Sequence, residues 1–123
     1  MTVAELLEKV NVEKPNAFSE NHLLLFINEC EALVQEFLGV DPEEYIIKYD
    51  LQYDKDEELI ALPPYDGMYE SFLKAKMDYV NEEHQSYANN QAQFESTWEE
   101  YKAYAMREGL VKVNKPLRFT NWY

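Results

Sequence analysis

Between Pro63 and Glu108 a bulky apolar or aromatic residue recurs every three or four positions: Tyr65, Tyr69, Phe72, Leu73, Val80, Tyr87, Phe94, Trp98, Tyr101 and Ala105. That spacing holds one stripe on one face of an α-helix, and Glu, Lys, Asn and Gln fill the other faces. No proline follows Pro64 until Pro116, and Gly67 is the only glycine inside the stretch. Two arrangements fit. One is a helical hairpin broken near Ala88–Asn90, where paired asparagines compete for their own backbone hydrogen bonds. The other is one helix of about forty residues, about 60 Å long. The stripe keeps its phase across Asn89-Asn90, which favours one helix. The ordinary length of helices and the polar middle (Lys76, Glu83, Asn90, Gln91) favour the break, and we take the hairpin.

Two further helices precede this segment. Thr2 followed by Glu5 is a capping box, and Val3, Leu6, Leu7 and Val10 make an apolar face over 2–10. Ser19 is a good N-cap for a helix over Glu20–Leu38, with Gly39 as its stop. Its stripe is Leu23, Phe26, Ile27, Cys30, Leu33, Val34, Phe37 and Leu38. Asp41-Pro42-Glu43-Glu44 predicts a short helical turn, while Tyr45–Tyr49 reads either as a strand or as the rest of that turn. Gly109 caps the last helix. Beyond it, Val111, Val113, Leu117 and Phe119 alternate loosely before Trp122-Tyr123, which predicts an extended arm docked on its own domain or on a neighbour. The expected fold is all-α, with three to four main helices over 1–109 and an extended arm over 110–123. Minor β structure has room at 45–49 and 111–119. The helical core is expected around Phe26, Cys30, Phe37, Tyr69, Phe72, Val80, Phe94, Trp98 and Tyr101.

Charge adds a second layer. The chain has 24 acids and 11 bases, a net charge of −13. Residues 1–108 hold every acid and eight of the bases, whereas 109–123 hold Lys112, Lys115 and Arg118 with no acid. An acidic body repels duplex DNA, so sequence-specific nucleic-acid binding is not expected. The basic tail suits an acidic surface, such as that of another copy. We therefore read Lys112, Lys115, Arg118, Phe119, Trp122 and Tyr123 as an interaction arm. The single cysteine fits a reducing compartment, no apolar run approaches a membrane span, and the start of the chain lacks a signal-peptide pattern, so a cytosolic protein without membrane contact is expected.

Chemistry is sparse. Cys30 lies mid-stripe and reads as a buried inert thiol, and His22 as an exposed or capping residue. Asp78, Glu82, Glu83 and His84 lack the second Glu-x-x-His of a dinuclear carboxylate site and read as solvated surface. Asp54–Glu58 starts like a calcium loop, but Leu59 and Tyr65 stand where glycine and glutamate are required. No glycine-rich phosphate loop or nucleophile elbow occurs. The expectation is a non-enzyme with no catalytic residue, metal or cofactor.

Several blocks carry a family resemblance: Lys14–Ser19, Asn28–Glu31, Leu62–Tyr69, Tyr79–Glu83 and Tyr87–Asn90, then Phe94 leading to Tyr101 and Tyr104. Over about 14–108 the chain resembles a group of small proteins encoded in prophages of Firmicutes, near portal and capsid genes. That group is similar to the head–tail connector, or adaptor, proteins of tailed phages. The resemblance implies a structural virion protein, made in the host cytoplasm, that forms a ring homo-oligomer and meets the portal or other virion proteins. The tail departs from the group. Two alternatives remain open: an acidic DNA mimic that inhibits a nucleic-acid-processing enzyme, and a helical interaction module of another kind.

Overall fold

The computed structural model describes residues 1–41, 43 and 49–112. Its first helix, α1 (Val3–Glu13), starts at the expected capping box: the Glu5 N–H donates to Thr2 Oγ1 at 3.1 Å, and the Thr2 N–H donates to Glu5 Oε1 at 2.8 Å. Val3, Leu6, Leu7 and Val10 are buried, at the spacing of one helical face. The helix continues three residues past Val10. It ends where Asn16 folds back, donating to the Lys14 carbonyl and accepting from the Phe18 N–H, both at 2.9 Å.

Helix α2 (Glu20–Leu38) is capped by the Ser19 hydroxyl, which accepts from the His22 N–H. At its other end Gly39 takes φ 86°. There the Gly39 N–H reaches the Glu36 carbonyl and the Val40 N–H reaches that of Gln35, a Schellman closure that a left-handed residue makes possible. Gly39 is also where the chain returns: the Lys112 N–H donates to the Leu38 carbonyl at 2.9 Å. A β-carbon on Gly39 would stand 2.9 Å from the Lys112 carbonyl oxygen, so glycine serves both the turn and the close approach.

Helices α3 (Gly67–Val80) and α4 (His84–Arg107) form a hairpin, and α3 packs against each of the other three helices. The fold is a small all-α domain. Among the described residues the only β feature outside helices is an isolated antiparallel bridge between Thr2 and Glu58, by which the connection after Tyr49 lies along the start of α1. Of the two expected β regions, Tyr49, Val111 and Lys112 are described and none is in a strand; 45–48 and 113–119 lie outside the described residues.

The hairpin is present, but its break is at Asn81–Glu83 and not at Ala88–Asn90. The turn is a second Schellman closure, with Glu82 N–H to the Tyr79 carbonyl and Glu83 N–H to that of Asp78. Its left-handed residue is Glu82, at φ 58°, where glycine is the usual choice. With no glycine or proline at the turn, the helical pattern runs through it unmarked. Asn89 and Asn90 sit inside α4 instead, and Asn90 uses its side chain on the partner helix, donating to Asp78 Oδ2 at 2.7 Å.

The core gathers Leu6, Leu7 and Val10, then Leu23, Ile27, Cys30 and Val34, then Met68, Tyr69, Leu73 and Met77, closed by Tyr101 and Ala105. Phe26, Phe72 and Phe94 are buried with them, and Phe37 and Trp98 are partly buried against the cluster. Along α4 the rings form a ladder: Phe94 stacks on Trp98, Trp98 on Tyr101, and Phe37 meets Trp98 edge-on at 5.8 Å. Val80 stands apart from this core, half exposed as the last residue of α3, beside the turn that leads into α4.

Candidate assembly surface

Burial in this protein is arranged around two acids. Glu31 lies on the buried face of α2, between Ile27 and Val34, and is fully enclosed. Tyr69 donates to its Oε1 and Tyr49 to its Oε2, each at 2.5 Å, and the Ile60 N–H donates to Oε2 at 3.0 Å. Tyr69 in turn accepts from the Ala61 N–H. The Asn28 amide grips the backbone of Tyr49 from both sides, accepting from its N–H at 2.9 Å and donating to its carbonyl at 3.3 Å. One carboxylate therefore ties α2 and α3 to the connecting segment. Burial pushes the Glu31 carboxyl up from its ordinary range, and the three donors only partly offset this. Burial and the neighbouring carboxylate push both tyrosine hydroxyls up as well, so they remain donors.

The second acid fastens the hairpin. Asp78 was expected on a solvated face with Glu82, Glu83 and His84, and is instead fully buried. Its Oδ2 accepts from Ser86 Oγ and Asn90 Nδ2, both at 2.7 Å. Lys14, from the loop after α1, stands 2.7 Å from Oδ1 as an ion pair out of hydrogen-bond alignment, and 3.7 Å from Glu83. Burial alone would raise this carboxyl, but the Lys14 ammonium with the Ser86 and Asn90 donors outweighs it and holds the acid below its usual range. The α3–α4 angle is thus set by a polar clamp at the turn and by aromatic packing further along, including Phe72 on Phe94 at 5.1 Å.

Next to the clamp the surface turns apolar. A groove of about 320 Å³ runs between Leu33 of α2, Phe72, Ala75, Lys76 and Tyr79 of α3, and Tyr87, Gln91 and Phe94 of α4. It continues past Tyr79 and Tyr87 into a second hollow of about 490 Å³, bounded by Val80, Glu82 and His84. Tyr79 is 70% exposed, Val80 51% and Leu33 40%, so the rim presents large apolar side chains to solvent. Lys76 lies over the Phe72 ring and pairs with Glu29 at 2.8 Å, which neutralises it. The arrangement offers ring faces and apolar edges with acidic neighbours. It suits an aromatic or aliphatic segment carrying positive charge.

The other residues read for chemistry fall elsewhere. Cys30 is fully buried and burial pushes its thiol well up, as an inert core thiol requires. His22 is exposed, packed edge-on against Phe18 and tilted against Phe26. The acids at 50–58 close a turn, with Asp54 accepting from the Asp50 N–H and Asp50 from the Gln52 N–H. Among the described residues no group of three or more His, Cys, Asp and Glu is placed to hold a metal ion, and no helix is long and apolar enough to cross a membrane. Of the interaction arm, Lys112 is exposed and anchored at Leu38; Lys115, Arg118, Phe119, Trp122 and Tyr123 lie outside the described residues.

Sequence reasoning missed Tyr79 and Glu31. Tyr79 falls one position before the stripe residue Val80, outside the period of the stripe, and faces outward. Glu31 had a signal, an acid on an otherwise apolar helix face, but its partners Tyr49 and Tyr69 are distant in sequence. Comparisons of the chain with protein-family models, with curated proteins and with solved structures gave no match.

Proposed function

We propose that this chain is a non-enzymatic structural subunit of a tailed phage, a head–tail connector or adaptor that assembles through protein–protein contacts beside the portal. The observation that carries the reading is the apolar groove with its exposed rim of Leu33, Tyr79 and Val80 at one end of a clamped helical hairpin. Contiguous apolar surface of this kind marks a place that another protein covers. A surrounding body of net charge −16 over 1–108 discourages DNA from binding, as the wall of a DNA channel must. The resemblance over 14–108 to prophage proteins encoded near portal genes points the same way. Its partners are then further copies of itself and the portal or another virion protein, met in the host cytoplasm and kept in the virion.

The test is gel filtration with light scattering of the protein alone and mixed with a portal ring. The reading predicts co-elution with the portal. Separate elution at high protein concentration, together with competition against duplex DNA for a basic enzyme, would replace it with the DNA-mimic reading. That competition would weaken with salt.

A further inference from the structure

We infer that the groove between α2, α3 and α4 is the seat of residues 113–123 of a second copy, joining subunits head to tail. This deepens the connector reading and rests on it for the ring, though the pairing itself is tested separately.

Three observations carry it. The first is chemistry. The segment Val113–Tyr123 brings Leu117, Phe119, Trp122 and Tyr123 together with Lys115 and Arg118 and no acid. The groove offers Phe72, Phe94, Tyr79 and Tyr87 with Glu82 on its border. Lys76, a cation at its wall, is already engaged by Glu29. Aromatic anchors flanked by positive charge therefore match both the apolar floor and the acidic body.

The second is where the segment starts. Lys112 is fixed at the C-terminal end of α2 by its bond to the Leu38 carbonyl, beside the C-terminal end of α4. The hollow lined by Tyr79, Val80, His84 and Tyr87 lies at the opposite end of the hairpin. From Arg107 back to Tyr87 along α4 is about 30 Å. The ten steps from Lys112 to Trp122 span at most about 33–36 Å when fully extended. Within one chain, only a nearly taut segment would bring Trp122 to Tyr79. A neighbouring copy can deliver the same residues without that constraint.

The third is geometry of assembly. A segment that leaves one copy beside Leu38 and seats in the groove of the next makes a heterologous contact, in which each copy gives one surface and receives with another. Repetition of that contact builds a ring or a filament, whereas a self-complementary patch would stop at a dimer.

A mixing experiment tests this. One variant lacks residues 113–123 and keeps the groove. The other, Tyr79→Glu, keeps the segment and places a charge in the groove; at 70% exposure this side chain is not required for folding. Circular dichroism checks that both variants are helical. In sedimentation velocity the full chain should associate with rising concentration while each variant alone stays monomeric. Mixed, the two variants should form a 1:1 heterodimer that grows no further. A synthetic peptide of residues 110–123 should bind the shortened variant at least about tenfold more tightly than the shortened variant that also carries Tyr79→Glu. A mixture that stays monomeric overturns the inference. So does a full chain that stays monomeric while the peptide binds the shortened variant, since the groove is then filled by its own chain. Failure of the variants to pair while the full chain still binds the portal would sink the inference and leave the connector reading standing.

Discussion

At the scale of single residues, Glu31 and Asp78 are both enclosed acids, and their surroundings drive them in opposite directions. Glu31 has hydroxyl and amide donors only, so burial wins and its carboxyl holds a proton more tightly than in the unfolded chain. The native state then takes up the proton first as pH falls, and this group's contribution to stability rises as pH drops through the raised value toward 4.5. Glu31→Gln should destabilise the protein at neutral pH by about 1–3 kcal/mol, because the amide nitrogen offers a donor where a tyrosine already donates. The gap to wild type should widen as the pH falls through that range, because glutamine cannot take up the proton, read by urea denaturation at several pH values. Asp78 is held below its usual range. Its contribution is complete above 3.8 and is lost as pH falls through the lowered value. Lys14→Met leaves that buried charge with hydroxyl and amide donors alone and should cost about 3 kcal/mol. Adding Asp78→Asn should recover part of the loss, a coupling that a double-mutant cycle measures.

At the scale of elements, what is legible in the sequence is what local chemistry determines. Thr2 with Glu5, Ser19, Gly39 and Gly109 mark helix ends because the capping side chain or the left-handed glycine is itself the signal. The aromatic stripe of α3 and α4 is legible for the same reason, since its period is the helix's own. The turn between them is not, because Glu82 occupies the left-handed position and leaves the apolar phase undisturbed. Asn90 misleads in the other direction: its amide is spent on Asp78, across the hairpin, instead of on its own backbone. Glu82→Gly should therefore stabilise the hairpin, by about 0.5–1 kcal/mol in thermal or urea unfolding, since it relieves the left-handed strain without removing a clamp bond. Gly39→Ala should do the reverse by about 1–2 kcal/mol, as it adds that strain and drives a methyl into the Lys112 carbonyl.

At the scale of the whole molecule, the clamped hairpin has a consequence for surface chemistry. Fastening α3 to α4 at Asp78 leaves the next residues, Tyr79 and Val80, turned outward beside the groove, on a body whose charge is strongly negative. None of this was legible from periodicity, which assigns Val80 to the core; only the position of the turn exposes it. The function we propose depends on that surface being covered in an assembly. Electron microscopy of a portal ring incubated with the full chain tests this most directly. The account predicts an added tier of density on the portal that a whole number of 14.6 kDa subunits accounts for, and its loss with the Tyr79→Glu variant. A portal ring unchanged in the presence of excess protein would contradict it.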